Sequence, residues 1–210
     1  MNIPTELFNI SQITNNIFVS GVFPLDNGAQ LIKQLKIKYI LSCVSRNHIS
    51  QLHDGIVMNN PNITILYLPY NDETRQNLWE KNENHITMFK LTSSIDDHQK
   101  ITQQLSIYNK KPLIEIGYHF INKAVNEKEN ILIHCMAGIS RSISVTAYFL
   151  MKKYHMNFHD SFNFIKKKRS IAKPNNSFKS QLEKYFIKKD KFTENDAAII
   201  ISIMVHKKNV

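Results

Sequence analysis

Cysteine is scarce in this chain of 210 residues: Cys43 and Cys135 are the only two. Two thiols so far apart build neither a disulfide framework nor a metal-ligand cluster, and they suit a reducing compartment. The histidines do not fill that gap, since His85, His98 and His119 show no ligand spacing. No apolar run approaches the roughly 20 residues needed to span a bilayer. The first residues lack the charged segment and apolar stretch of a secretory signal. The cytoplasm, with access to the nucleus, is the expected location, and no membrane partner is expected. Acidic residues are also few, 17 against 27 lysines and arginines, which leaves a net charge of +10. Such a field speeds encounters with phosphorylated, acidic or nucleic-acid partners. Arginine is rare among the cations, occurring only at 46, 75, 141 and 169. The abundant lysine reads equally well as a solvated surface, and the wealth of Asn, Ile and Lys fits an AT-rich genome. A hydrophobic content of 42% is ordinary for a globular protein, and the length suits one domain where two would be cramped.

The richest stretch is His134-Cys135-Met136-Ala137-Gly138-Ile139-Ser140-Arg141-Ser142. Ile131-Leu132-Ile133 before it reads as a short buried strand, and Ile143 to Met151 after it as a core helix. A strand-loop-helix unit of this kind aims backbone N–H groups and the positive end of a helix at one spot, which suits a phosphate dianion. The same field favours a thiolate, so a depressed pKa and a competent nucleophile are expected at Cys135. Gly138 lets the loop wrap tightly. Arg141 offers a planar fork for two phosphate oxygens, and Ser142 a hydroxyl for the sulfur. An inert core thiol would explain neither the glycine nor the flanking hydroxyls.

In these residues the chain resembles the cysteine-dependent protein tyrosine phosphatases, whose signature is His-Cys, five residues, Arg, then Ser or Thr. The Ala-Gly-x-Ser-Arg-Ser form is most similar to the dual-specificity branch. That resemblance implies an α/β fold with a central mostly parallel sheet flanked by helices, and hydrolysis of phosphotyrosine and phosphoserine or phosphothreonine through a cysteinyl-phosphate. Cys135 would be the nucleophile. Arg141 and the amides of Met136, Ala137, Gly138, Ile139 and Ser140 would bind phosphate, and Ser142 would help expel the sulfur. His134 would tune the thiolate from behind. No metal or organic cofactor is implied. Phosphorylated proteins are the implied partners.

Two further segments share the resemblance. Tyr67 to Leu78 is similar to the family's general-acid loop, which assigns the proton transfers to Asp72; a turn-forming Asp is the plainer reading. Pro174-Asn175-Asn176-Ser177-Phe178 resembles the family's Pro-Asn-x-Gly-Phe segment, with Ser177 in place of glycine. By that match Asn175 braces the phosphate loop, while Phe178 and Leu182 belong to the core. About twice the usual chain separates Asp72 from Cys135. The surplus, about 79–112, reads as an insertion beside or over the active-site mouth, partly helical at 86–91 and 101–107. It leaves Asp96 and Asp97 open as alternative acids.

Elsewhere, 17–21, 39–44 and 63–67 read as strands and 31–37, 113–125 and 160–168 as helices. Cys43 reads as a small buried hydrophobe. The run Lys166-Lys167-Lys168-Arg169 reads either as a solvated helix end or as a guide for anionic substrates. The phosphatase-like domain is expected over 8–190, with 191–210 as an extension. The apolar stretch 197–205 in that extension suits packing on the domain or on a partner chain, including a homodimer. Two rival functions stay open. An RNA 5′-phosphatase fits the charge, although relatives with that activity tend to carry His-Gly and Asn-Arg-Thr in the loop. A catalytically dead phosphoprotein-binding module usually lacks the nucleophile that is present here. A phosphoinositide substrate ranks below both, because Met136, Ala137 and Ile139 add no loop cation.

Overall fold

Three apolar runs lie side by side at the centre of one six-stranded sheet, and their burial on both faces explains why they read as continuous rather than alternating. The computed structural model describes residues 5–26, 28–83 and 85–189. Along the chain the strands are β1 (Ser11–Gln12), β2 (Ile17–Ser20), β3 (Ile37–Ser42), β4 (Thr64–Tyr67), β5 (Thr87–Lys90) and β6 (Asn130–His134). The helices are α1 (Ala29–Gln34), α2 (Ser50–Asn59), α3 (Ile95–Tyr108), α4 (Leu113–Asn126), α5 (Arg141–Tyr154), α6 (Phe158–Lys166) and α7 (Asn176–Lys189). The spatial order is β1-β2-β6-β3-β4-β5. The inner pairings β2/β6, β6/β3 and β3/β4 are parallel, and the two edge strands run antiparallel. The sheet is therefore mostly parallel, as the sequence implies.

Topology places the site. The crossovers β2-α1-β3 and β3-α2-β4 step the same way across the sheet. Right-handed connections put their helices on one face, and α4, which returns toward β6, on the other. The last strand, β6, inserts between β2 and β3, so the chain leaves it at the middle of the sheet's carboxyl edge. Open α/β sheets bind their ligands in that crevice. The buried positions of α5 run unbroken from Ser142 to Met151, because the helix is enclosed by its neighbours rather than lying on the surface.

Several elements differ from expectation. Residues 86–91 are not helical: Thr87–Lys90 is β5, paired with β4 in the register Thr64↔Lys90 to Tyr67↔Thr87. A short apolar stretch fits either period, and the open edge of β4 decides between them. The helix expected over 31–37 stops at Gln34. Lys36 turns left-handed (φ 50°) and Ile37 already belongs to β3. The helix around 101–107 is real and longer, starting at Ile95 after the N-cap Ser94, whose side chain accepts from Asp97 N–H. Among the described residues, segment 79–112 supplies none of those that line the cavity at Arg141. It extends the far edge of the sheet and is pinched at its base, where Asn82 N–H donates to Lys111 C=O and Lys110 N–H to Asn82 C=O, both at 2.8 Å. Among the described residues no helix is long and apolar enough to cross a membrane. The apolar stretch 197–205, and the dimer contact expected of it, lie outside the described residues.

Candidate active site

The loop between β6 and α5 is held from outside by its carbonyls. Val22 N–H donates to Met136 C=O (2.9 Å) and Lys173 N–H to Ile139 C=O (2.8 Å). The Arg169 guanidinium takes Gly138 C=O at 2.7 Å and Ala137 C=O at 3.2 Å. In a trans peptide the C=O of one residue and the N–H of the next point opposite ways, and no described peptide is cis. Four carbonyls fastened outward therefore turn the N–H groups of Ala137, Gly138, Ile139 and Ser140 inward. Gly138 shows the result directly, its N–H reaching Cys135 Sγ at 3.2 Å. The sulfur also meets Ser142 Oγ at 3.4 Å. Gly138 is left-handed (φ 68°), and a Cβ there would stand 2.4 Å from Ser20 C and 2.6 Å from Gly21 N. No other residue fits.

Arg141 opens α5 and lies over the loop. Its Nη1 donates to Tyr70 C=O at 3.2 Å. Its Nε is buried without a hydrogen-bond partner, the nearest carboxylate oxygen being Asp72 Oδ2 at 3.6 Å. An unmet guanidinium N–H beside inward amides is a site for an oxyanion. Asp72 is brought to the same place. Its Oδ1 accepts from Ser140 Oγ at 2.7 Å and from Asn175 Nδ2 at 3.0 Å, which leaves Oδ2 facing Arg141. Asn175 also donates its N–H to Ser140 Oγ (3.1 Å), and its own Oδ1 caps α7 by accepting from Phe178 N–H (2.9 Å). The β6–α5 loop, the Asp72 segment and α7 are thus joined around one carboxylate. Gln181 adds a second tie, its Oε1 accepting Leu78 N–H at 2.8 Å and its Nε2 donating to Gln76 C=O. A cavity of about 560 Å³ opens at Arg141 and is walled by Ser45, His48, Pro69, Tyr70 and Met136.

Asp96 and Asp97 do not reach this place. Asp96 pairs with Lys100, and Asp97 with Lys90 and Thr92 at the start of α3. Lys166, Lys167 and Lys168 are exposed, as a solvated helix end would be. Arg169 is the exception: it is fully buried, and its Nη1 also reaches Glu6 C=O, Asn9 C=O and Ser11 Oγ, each at 3.2 Å. Reading it with the lysine run missed it. The available signal was an arginine among lysines in a chain with only four, since five donors in a fixed fork do what lysine cannot.

A second group was legible only at His134, and its partners His53 and Tyr67 were missed. His134 is buried behind the loop, and burial holds its pKa down at about 4 against a weaker upward pull from the Cys135 carbonyl. Its Nε2 lies 3.0 Å from Nε2 of His53, whose Nδ1 is 2.9 Å from the Tyr67 hydroxyl. Burial, then His134, pushes His53 down to about 2. Cys43 is buried at the end of β3, and desolvation raises its pKa well above the ordinary value, so it behaves as the small hydrophobe expected. Among the described residues no group of side chains could hold a metal ion.

Comparison with known proteins agrees with this picture. Residues 23–188 match the family model "Dual specificity phosphatase, catalytic domain", so the chain belongs to that family of phosphatases. It is 52% identical over 196 residues to a protein of Acanthamoeba polyphaga mimivirus named as a tyrosine-protein phosphatase (R622), covering 93% of this chain and 92% of that one. Human dual specificity protein phosphatase 9 is 41% identical over 63 residues, which are 30% of this chain and 16% of that longer protein. Among solved structures, human DUSP28 superposes with a TM-score of 0.60 at 18% identity, covering 90% of this chain and 97% of its own. The human tyrosine phosphatase-like serine/threonine/tyrosine-interacting protein gives the same TM-score at 17% identity, over 86% of this chain and 97% of that one. Likeness of that kind shows the fold alone.

Proposed function

We propose that this enzyme hydrolyses phosphotyrosine and phosphoserine or phosphothreonine in proteins through a cysteinyl-phosphate. The observation that carries the reading is the convergence on one spot of Cys135 Sγ, the inward loop amides and the unmet Nε of Arg141. Cys135 Sγ attacks phosphorus in line as the P–O bond to the substrate breaks. Arg141 and the amides of residues 136 to 140 hold the equatorial oxygens and their charge. Asp72 gives a proton to the departing oxygen. The two donors on its Oδ1 leave Oδ2 as the place that proton occupies. Water then attacks phosphorus, Asp72 takes its proton, and the P–S bond breaks to release inorganic phosphate while Ser142 Oγ donates to the sulfur. Asn175 and His134 act on positions and not on substrate.

The test is turnover of an aryl phosphate by the wild type and by Cys135→Ser. The expected loss is about 10³-fold or more, together with a trapped phosphocysteine in rapidly quenched wild type. If the wild type is as inactive as the variant yet binds phosphopeptides, the chain is a binding module. A panel of phosphotyrosine peptide, phosphothreonine peptide and RNA 5′-triphosphate separates the substrate classes. Preference for the RNA would overturn the protein-phosphatase reading while leaving the cysteine chemistry intact.

A further inference from the structure

Behind the phosphate loop, a tyrosine and two histidines occupy positions where solvent cannot help to satisfy them. Tyr67 and His53 are fully buried, and so is His134. Buried polar groups are costly unless each finds a partner, and a neutral imidazole has one donor nitrogen and one acceptor. The directions along this line are therefore not free. The Cys135 carbonyl, 3.4 Å from His134 Nδ1, can only accept. His134 must then carry its proton on Nδ1 and leave Nε2 bare. His53 Nε2, 3.0 Å away, must be the donor to it. That leaves His53 Nδ1 as the acceptor for the Tyr67 hydroxyl at 2.9 Å. Reversing any one bond sets two donors or two acceptors against each other.

We propose that His53, on α2, is a positioning residue: the chain Tyr67 O–H to His53, His53 N–H to His134, and His134 N–H to Cys135 C=O aims the Met136 amide into the phosphate cradle. The trans-peptide geometry already used for the other four amides applies here too. Val22, Lys173 and Arg169 fasten the carbonyls of residues 136 to 139. The Cys135 carbonyl is fastened by His134, and the N–H opposite it belongs to Met136. His53 thus acts on the fifth inward amide through one intermediary. Burial holds both rings neutral, and Arg46 and Arg141 add to that for His53 and His134 respectively. Burial likewise keeps the Tyr67 phenol protonated and able to donate. The functional part of the proposal rests on Cys135 and its loop being the reacting site.

Long-range ¹H–¹⁵N spectra of histidine-labelled wild type test the proton directions without any mutation. Nδ1–H on His134 and Nε2–H on His53 are expected, and the opposite tautomer at either ring overturns the proposal. The functional readout compares His53→Leu with His53→Gln, whose amide can donate to His134 and whose carbonyl can accept from Tyr67. For His53→Leu, kcat on an aryl phosphate should fall roughly tenfold, the equivalent of one hydrogen bond. Affinity for vanadate should weaken by a similar factor, with KM little changed. His53→Gln should restore most of both. Equal kcat and vanadate affinity in wild type and a folded His53→Leu, or a deficit that His53→Gln does not relieve, would refute the positioning role. Should wild type fail to hydrolyse any aryl phosphate, the catalytic reading falls, while the tautomers and vanadate binding still decide the proposal about His53.

Discussion

Acid should weaken this fold well before its carboxylates protonate, and the two buried histidines set the size of the effect. In the folded chain their pKa values lie at about 4 for His134 and about 2 for His53, below the ordinary 6.5 of an exposed imidazole. Between pH 6.5 and about 4 the unfolded chain therefore binds protons that the folded chain refuses. Stability is complete above pH 6.5 and drains away as the pH falls through that window. At pH 5 the unfolded rings are almost fully charged and the folded ones are not, so each histidine costs about 2 kcal/mol and the pair about 4 kcal/mol relative to pH 7. That is a large share of the roughly 5–15 kcal/mol typical of a domain. Urea unfolding at the two pH values measures it directly. With a slope of about 2 kcal/mol/M, the midpoint should drop by about 2 M. His53→Gln removes one of the two groups and should halve the drop. Glu115, whose pKa is lowered by Lys152 and Tyr148 against the effect of burial, begins to add its loss only as the pH falls through the ordinary carboxylate range. A midpoint that does not move between pH 7 and pH 5, or a drop unchanged in His53→Gln, would refute the reasoning.

The remaining predictions concern the loop and its supports. Asp72→Asn should reduce kcat by about 10²–10⁴ on substrates with poor leaving groups, and less on aryl phosphates, in pH–rate profiles that also include Asp96→Asn and Asp97→Asn; equal losses at all three positions would refute the assignment. Arg169→Lys should cost on the order of 3 kcal/mol in urea unfolding, because a single ammonium cannot serve the five acceptors that the fork reaches. Gly138→Ala should abolish oxyanion binding in calorimetry with phosphate, since its Cβ would strike backbone at 2.4 Å in a left-handed conformation.

What could be read from the chain and what could not divides along physical lines. Cys135, Gly138, Arg141 and Ser142 are close in sequence, and their chemistry is legible because one local loop carries it. Asp72 was legible only through its resemblance to a known loop. What brings its carboxylate beside the loop is distant in sequence: Ser140 and Asn175, 68 and 103 residues away, both bind its Oδ1. His53 left no mark, because a lone histidine in a helical segment gives no hint of another 81 positions later. Residues 86–91 failed as a helix for the same reason: the partner that makes them a strand, β4, lies upstream beyond any local pattern.

Arg169 has one more consequence, which concerns how the protein is made. The groups it clasps near the N-terminus lie 158 to 163 residues before it, while those it clasps in the phosphate loop lie about thirty before it. Until translation has passed this arginine, the Ala137 and Gly138 carbonyls have nothing to lock them, although Cys135 has already been made. A nascent chain therefore carries the thiol before its anion trap is fixed, and the pocket is assembled only once Arg169, Lys173 and Asn175 have followed.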